Sequence, residues 1–267
     1  MSENDKSVWD EGDAYEPYVG RWSRMVAPPF FEWLGLPPGM AWMDVGCGTG
    51  ALTQVILERC SPAKVLGVDP SKGYLGLAET HTADGRATFE LGNSNNLPGA
   101  DSQFDVAVSG LVLNFMPDKK LAMSEMMRVV KQGGTIAAYI WDYAGKMELM
   151  RYFWDAAVEL NPDARKLDEG VRFPIANPDL LFELYGEAEL AEVETQAIDV
   201  PTVFRDFDDY WLPFLGGQFP APDYCMSLSE ENRTALQNRV YRKLPIAKDG
   251  SISLIARALA VKGIVQK

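Results

Sequence analysis

The run Met43-Asp44-Val45-Gly46-Cys47-Gly48-Thr49-Gly50 closes a short apolar stretch, 41–45, and opens a segment of helical spacing in which Leu52, Val55 and Ile56 share a face. A glycine-rich turn between a strand and a helix is the setting of a ligand loop. Glycines at 46, 48 and 50 remove the side chains that would hold a ligand off the backbone. The same glycines also suit a bare turn, because a tight strand-to-helix connection needs positive φ values with nothing bound.

Working outward, apolar and β-prone runs recur at 41–45, 64–68, 87–91, 104–109 and 135–141. Each is short enough for a strand and too unbroken to have one wet face. Helical spacing separates most of them. Ala122, Met126, Val129 and Val130 repeat on one face before a stop at Gly133-Gly134, and Pro117 fits that helix's first turn. Strands alternating with helices in this way imply right-handed crossovers and a largely parallel sheet with helices on both faces, an α/β fold.

The flanks are looser. Residues 8–36, rich in Trp, Tyr and Arg, read as one or two helices outside the sheet, and 147–160 and 177–186 read as two more. A closing pair of strands is expected at 193–200 and 251–261. Between them lies 204–244, where Phe204, Phe207, Tyr210, Trp211, Phe214 and Phe219 crowd together. An insertion of this length between strands is expected to cap a binding site. The expected organisation is one domain over 1–267, with an N-terminal helical segment at 1–39, a ligand-binding half at 40–145 and the cap insertion at 204–244.

Composition excludes several classes of function. A chain of 267 residues, 47% hydrophobic and 24% charged, can bury a sizeable core. Its formal charge of -13 repels nucleic acid backbones and anionic membrane surfaces, so neither is expected as a partner. The acidic start at 1–13 lacks a basic region followed by an apolar one, and no apolar run reaches the length of a membrane span, so a cytoplasmic location is expected. Cys47, Cys60 and Cys225 are scattered and odd in number, and His81 is the lone histidine. Neither a disulfide framework nor a metal site is expected from them. His81 falls in a polar stretch at the end of a helical pattern, where a solvated position is expected.

Two carboxylates give the loop its chemistry. Asp44 stands at the mouth of the loop, where it would oppose the two negative charges of a dinucleotide pyrophosphate and welcome a cationic ligand. Asp69 ends the next strand in Val65-Leu66-Gly67-Val68-Asp69-Pro70, a position from which a carboxylate accepts hydrogen bonds from ribose hydroxyls. A helix N-cap before Pro70 is the competing role for Asp69, and the two are compatible.

At this point the sequence resembles the class I S-adenosylmethionine-dependent methyltransferases, within them the type 11 group that includes ubiquinone and menaquinone methyltransferases. The likeness runs from about Trp42 to Trp141 and is carried by Asp44 to Gly50, by Gly67-Val68-Asp69-Pro70-Ser71, by Leu97-Pro98, by Phe104-Asp105-Val106-Ala107-Val108-Ser109 and by Val129-Val130-Lys131-Gln132-Gly133-Gly134. It implies a Rossmann-like, seven-stranded, mostly parallel sheet with an antiparallel last strand, and S-adenosyl-L-methionine as cofactor. It further implies that Gly46, Cys47, Gly48 and Gly50 line the methionine half of the cofactor with Asp44 near its amino group. Asp69 would then take the ribose hydroxyls, with Pro70 and Tyr74 against adenine. Asn93 stands where similar enzymes carry Asp for the adenine amino group, and its amide oxygen still accepts that bond without the charge. Ser94 would offer a backbone N–H to the ring and Ser109 a carbonyl to the ammonium group. Asn114 replaces the His of many relatives. Residues 15–23, Tyr-Glu-Pro-Tyr-Val-Gly-Arg-Trp-Ser, resemble a segment in which a tyrosine and an arginine close over the cofactor, placing Tyr18 at the substrate and Arg21 on the methionine carboxylate. A surface arginine on an amphipathic helix is the plainer reading of Arg21.

Methyl transfer from a sulfonium is an in-line displacement that quenches a positive charge, so alignment and desolvation can supply most of the acceleration without an obligatory base. Asp142 and Tyr143, just past the fifth strand, are the candidates should one be used, with capping of the next turn as the alternative. Trp141, Tyr143, Phe207, Tyr210 and Trp211 are candidate walls of an acceptor pocket, with core packing as the competing role. The expected activity is methyl transfer to a small molecule. A cofactor-binding protein without transfer activity and a nicotinamide oxidoreductase are the alternatives.

Overall fold

The computed structural model describes residues 19–216 and 219–266. Seven strands form one sheet in the order β3-β2-β1-β4-β5-β7-β6. They are β1 (Ala41–Val45), β2 (Lys64–Asp69), β3 (Ala87–Leu91), β4 (Phe104–Gly110), β5 (Val130–Trp141), β6 (Ala191–Phe204) and β7 (Ile252–Ile264). β1 pairs in parallel with both β2 and β4, and β4 pairs in parallel with β5. The chain runs outward from β1 to β3 and returns to β4 on the other side of β1, so the strand order reverses between β1 and β4. In open α/β sheets that reversal opens a crevice at the carboxyl ends of the strands.

β7 runs against its neighbours. Gly133 donates to the Val265 carbonyl and Val265 to that of Gly134, each at 2.9 Å, while Asp142 donates to the Arg257 carbonyl at 2.9 Å, so position rises along β5 as it falls along β7. Side-chain pairs Lys262 with Glu194 and Arg257 with Asp199 give β6 the same opposed relation to β7. β6 is therefore parallel to β5, and β7 is the antiparallel last strand the sequence leads one to expect.

The chain divides into two compact units. Of the described residues, one comprises Arg24–Ile140, Ile175–Ile198 and 258–266, and contains the glycine loop. Of the described residues, the other comprises 19–23, Trp141–Pro174 and Asp199–Arg257. The expected insertion at 204–244 thus belongs to a larger body that also takes in the helix Glu148–Leu160. Phe153 stacks on Phe214 with ring centroids 4.4 Å apart, and Trp154 lies 5.6 Å from Tyr224, so the helix and the insertion share one aromatic core. Helices at Glu148–Leu160 and Pro178–Glu187 match the expected ones. The expected N-terminal helices appear as Arg21–Ser23 and Ala27–Leu34, and residues 8–18, Tyr18 among them, lie outside the described residues.

Three local expectations give way. β3 is the sheet edge and alternates between half-buried and exposed side chains, so it does have a wet face. The helix before β5, Lys119–Val129, stops four residues short of Gly133: Ser102 and Gln103 donate to the carbonyls of Arg128 and Val129 at 2.8 Å each, and Val130 already pairs with Phe104. Pro117 precedes this helix, whose N-cap is Asp118 accepting from Leu121 N–H at 3.0 Å. The glycine pair lies inside β5, where the register to β4 jumps from Phe104/Val130 to Val106/Thr135. A Cβ on Gly134 would stand 2.6 Å from the Asp105 carbonyl, whereas one on Gly133, at φ +76°, meets nothing within 4 Å. Gly134→Ala is therefore expected to destabilise the fold by roughly 2–3 kcal/mol and Gly133→Ala by about 1 kcal/mol, as read by urea unfolding. Equal costs would disprove this account of the bulge.

Candidate active site at the glycine loop

The loop is shaped by its own backbone hydrogen bonds. Gly46 and Cys47 donate to the Val68 carbonyl at 2.8 and 3.1 Å, and Gly50 donates back to the Cys47 carbonyl at 2.9 Å. Gly46, Gly48 and Gly50 adopt φ of +77°, +54° and +86°. Their surroundings differ. A Cβ at Gly46 would strike Val112 at 2.6 Å and one at Gly50 would press on Ala78 at 3.2 Å, while one at Gly48 would meet nothing within 4 Å. Gly46 and Gly50 thus serve packing, and Gly48 alone faces open space. Cys47 is buried, and burial with Asp44 and Asp69 nearby pushes its thiol well up, out of the nucleophilic range.

Asp44 is fully buried. Its Oδ2 accepts from Thr53 Oγ1 at 2.7 Å, and its Oδ1 has no hydrogen-bond partner. Burial, and secondarily the Asp69 charge, lift its pKa to about 7 against the Thr53 hydrogen bond. Asp69 is 7% exposed and accepts from Gly48 N–H at 3.0 Å and from Ser71 N–H at 2.8 Å. Its pKa is also raised by burial. The helix Lys72–His81 is capped by Ser71, which accepts from Tyr74 N–H, so the capping role considered for Asp69 falls to Ser71. His81 ends this helix in an exposed position.

Two further buried groups lie at the end of β4 and just past it. Ser109 Oγ and both amide atoms of Asn114 lack partners, at 1% and 4% exposure. Orphaned buried polar atoms are expensive, and a cluster at a strand-order reversal marks a place where a ligand can satisfy them. Pro70 and Asn93 are exposed, while Tyr74 and Ser94 are half-buried. The Asn93 side-chain oxygen accepts from Asn95 N–H at 3.0 Å, leaving one lone pair.

The candidate base and the aromatic residues take structural positions. Asp142 accepts from Gly145 N–H at 2.9 Å and from Lys146 N–H at 3.1 Å, which closes the turn after β5. Tyr143 is buried, 5.5 Å from the ring of Phe173. Trp141, Tyr210 and Trp211 are buried as well; the Tyr210 hydroxyl donates to the Leu149 carbonyl at 2.8 Å, and Trp211 lies among Phe153, Phe207 and Phe214. Arg21 has a partner other than the one expected. Its Nη1 meets Asp209 Oδ1 at 3.0 Å, and its guanidinium covers the rings of Trp22 and Phe204. Sequence reasoning passed over Thr53, Val112 and Asp209. For Thr53 a signal was there, a hydroxyl among the apolar residues of the first turn after the loop.

The sheet order and the loop geometry define a Rossmann-like class I methyltransferase fold. Residues 43–138 match the type 11 family model, described as "Methyltransferase domain", and that segment belongs to this family. Demethylmenaquinone methyltransferase of Desulfitobacterium hafniense is 32% identical over 152 residues, 46% of this chain and 60% of the relative. The 2-methyl-6-phytyl-1,4-hydroquinone methyltransferase of Synechocystis is 33% identical over 186 residues, 67% of this chain and 57% of the relative. The chain thus spans little more than half the length of these curated relatives. Among solved structures, phosphoethanolamine N-methyltransferase 2 of Haemonchus contortus in complex with S-adenosyl-L-methionine superposes with a TM-score of 0.60 at 14% identity, covering 99% of this chain and 58% of that one. Among the described residues no helix is long and apolar enough to cross a membrane.

Two predictions follow from burial. The folded chain holds a proton on Asp44 that the unfolded chain releases near 3.8, so this contribution to stability is complete below that pH and is lost as pH rises through about 7. Asp44→Asn should flatten urea stability plotted across that window. Glu169, also lifted to about 7 by burial, keeps a residual slope of the same sign. An unchanged slope would contradict the assignment to Asp44. Trp211→Ala should cost about 3–5 kcal/mol of stability, as expected for a core ring and not for a pocket wall; near-normal thermal unfolding would refute it.

Proposed function

We propose that the chain is an S-adenosyl-L-methionine-dependent methyltransferase acting on a small-molecule acceptor. The observation that carries this reading is Asp44, a fully buried carboxylate at the ligand loop with one oxygen unpartnered and a pKa lifted to about 7. A buried carboxylate without a full complement of donors is matched by a cation and mismatched by a pyrophosphate. The residues fit the cofactor. Asp44 Oδ1 suits its ammonium group, the open volume above Gly48 suits its methionine chain, and Asp69, held by two backbone N–H groups with lone pairs to spare, suits the sugar hydroxyls. Pro70, Tyr74, Asn93 and Ser94 are the candidates for the adenine side, and Ser109 for the ammonium.

Bound there, S-adenosylmethionine supplies an electrophilic methyl carbon on a sulfonium. The chain's own part is to bind, orient and exclude water. We assign no general base, because both oxygens of Asp142 serve the turn after β5 and displacement at a methyl carbon does not require one. Asn114, whose buried amide can both donate and accept, is the better candidate for orienting an acceptor in this crevice. The two quinone-type relatives support a small molecule as that acceptor.

Calorimetry tests the reading. S-adenosylmethionine and S-adenosylhomocysteine should bind and NAD should not. Near neutral pH, binding should release part of a proton as the ammonium group draws Asp44 to its charged form, which appears as a dependence of the heat on buffer ionisation enthalpy. Gly48→Val should abolish binding while the fold survives, at a cost of about 1–2 kcal/mol for a side chain at positive φ. NAD binding, or normal titration of the valine variant, would overturn the placement. Tight cofactor binding without turnover on any phenolic or acidic metabolite with a labelled methyl donor would point to a cofactor-binding protein without transfer activity.

A further inference from the structure

Thr53 brings a hydroxyl into an apolar setting. It is the third residue of the helix Ala51–Arg59 and is buried along with Leu52, Ile56 and Leu57 of that helix. The hydroxyl of a helical threonine often turns back to a carbonyl of the preceding turn. Here its one proton goes instead to Asp44 Oδ2 at 2.7 Å, nine residues back in β1. Neither residue has any exposure, and both belong to the unit that contains the glycine loop.

That bond makes the two oxygens of Asp44 unequal, because Oδ2 is taken and Oδ1 has no partner. The surroundings compete over the charge. Burial opposes it, the Thr53 hydroxyl favours it, Asp69 on β2 opposes it and the Thr53 backbone N–H favours it, in falling order of weight. The helix starts after Gly50 with no side-chain cap, so an anion near its first N–H groups is well placed. The neighbours on other elements do not take over this part. Burial, then Asp44 and Asp69, push the Cys47 thiol well up and keep it neutral, and the residues paired with Asp44 on β2 and β4 are Gly67 and Val108, which do not ionise.

We propose that Thr53 is the positioning residue of the ligand loop: it holds Asp44 by Oδ2, leaves Oδ1 as the oxygen for the ligand, and sets the pH range in which the loop accepts a cation. Without the hydroxyl both oxygens lack a donor, and the carboxyl keeps its proton to higher pH. A neutral acid has no charge to offer an ammonium group. Thr53 acts through Asp44 and touches no ligand itself. The identity of the cation rests on the methyltransferase reading; the hold of Thr53 on Asp44 does not.

The test compares wild type, Thr53→Val and Thr53→Ser in two measurements across pH. The first is S-adenosylhomocysteine affinity by calorimetry, taken as the ratio to wild type so that ionisation of the ligand cancels. Thr53→Val should bind about tenfold more weakly at about pH 6 and within about twofold of wild type at about pH 8.5, and Thr53→Ser should restore the wild-type profile. The second is urea stability of the ligand-free chain. Its loss, centred near 7 in the wild type, should move to higher pH in Thr53→Val, the sign expected when a folded carboxyl keeps its proton longer. Should Thr53→Val not fold, Thr53→Ala against Thr53→Ser makes the same comparison. An affinity lowered by one factor at every pH, a serine variant that behaves like the valine one, or an unmoved stability curve would reduce Thr53 to packing and overturn the proposal. If S-adenosylhomocysteine fails to bind the wild type at any pH while the stability curve moves, the methyltransferase reading falls and the hold of Thr53 on Asp44 stands.

Discussion

Asp44 lies in β1, an inner strand of the sheet, with no exposure, Asp69 is near enough to raise its pKa, and Thr53 is the one partner its carboxylate has. A folded protein does not keep such a group by accident, because an apolar residue at a fully buried strand position would be the stable choice. Everything around it is arranged to hold the position. β1 is pinned between β2 and β4, the loop that follows is tied to the Val68 carbonyl, and Val112 closes so tightly on Gly46 that no side chain fits there. A cationic ligand, as proposed for this loop, would recover the stability forgone at Asp44.

The second unit is built on a different principle. Its interior is a stack of rings, Phe153 on Phe214 and Phe207 on Trp211, with Tyr210 tied by its hydroxyl to the Leu149 carbonyl. Charges inside it are paired locally: Arg151 with Asp168, and Trp154 Nε1 donating to the buried Glu169. Pairs on its surface, such as Glu159 with Arg239 and Lys243, are exposed enough to be screened and each contributes little. Against this background a few buried polar atoms lack partners, among them Arg151 Nε and Thr202 Oγ1 here and Asp44 Oδ1, Ser109 Oγ, both amide atoms of Asn114, Trp42 Nε1 and Tyr185 Oη in the other unit.

The half of the chain around the glycine loop was legible from residue types because its constraints are local. Glycines at fixed offsets, a carboxylate two residues before them and another at the end of the next strand are properties of a short stretch of chain, and the strands from β1 to β5 follow the apolar runs to within a few residues. The start of β5 was not legible, since Gly133-Gly134 signals a helix stop equally well as it signals a bulge, and only the pairing of Val130 with Phe104 chooses between them.

The amino-acid sequence by itself determined the alternation of strands and helices, the loop and its two acidic residues, because periodicity and backbone sterics act between near neighbours. Tertiary structure decided which glycine faces open space, which carboxylate is left short of a donor, that Asp142 closes a turn, and that Arg21 belongs to Asp209. Those outcomes depend on residues up to 188 positions apart in the chain meeting in three dimensions, and no local pattern encodes such a meeting.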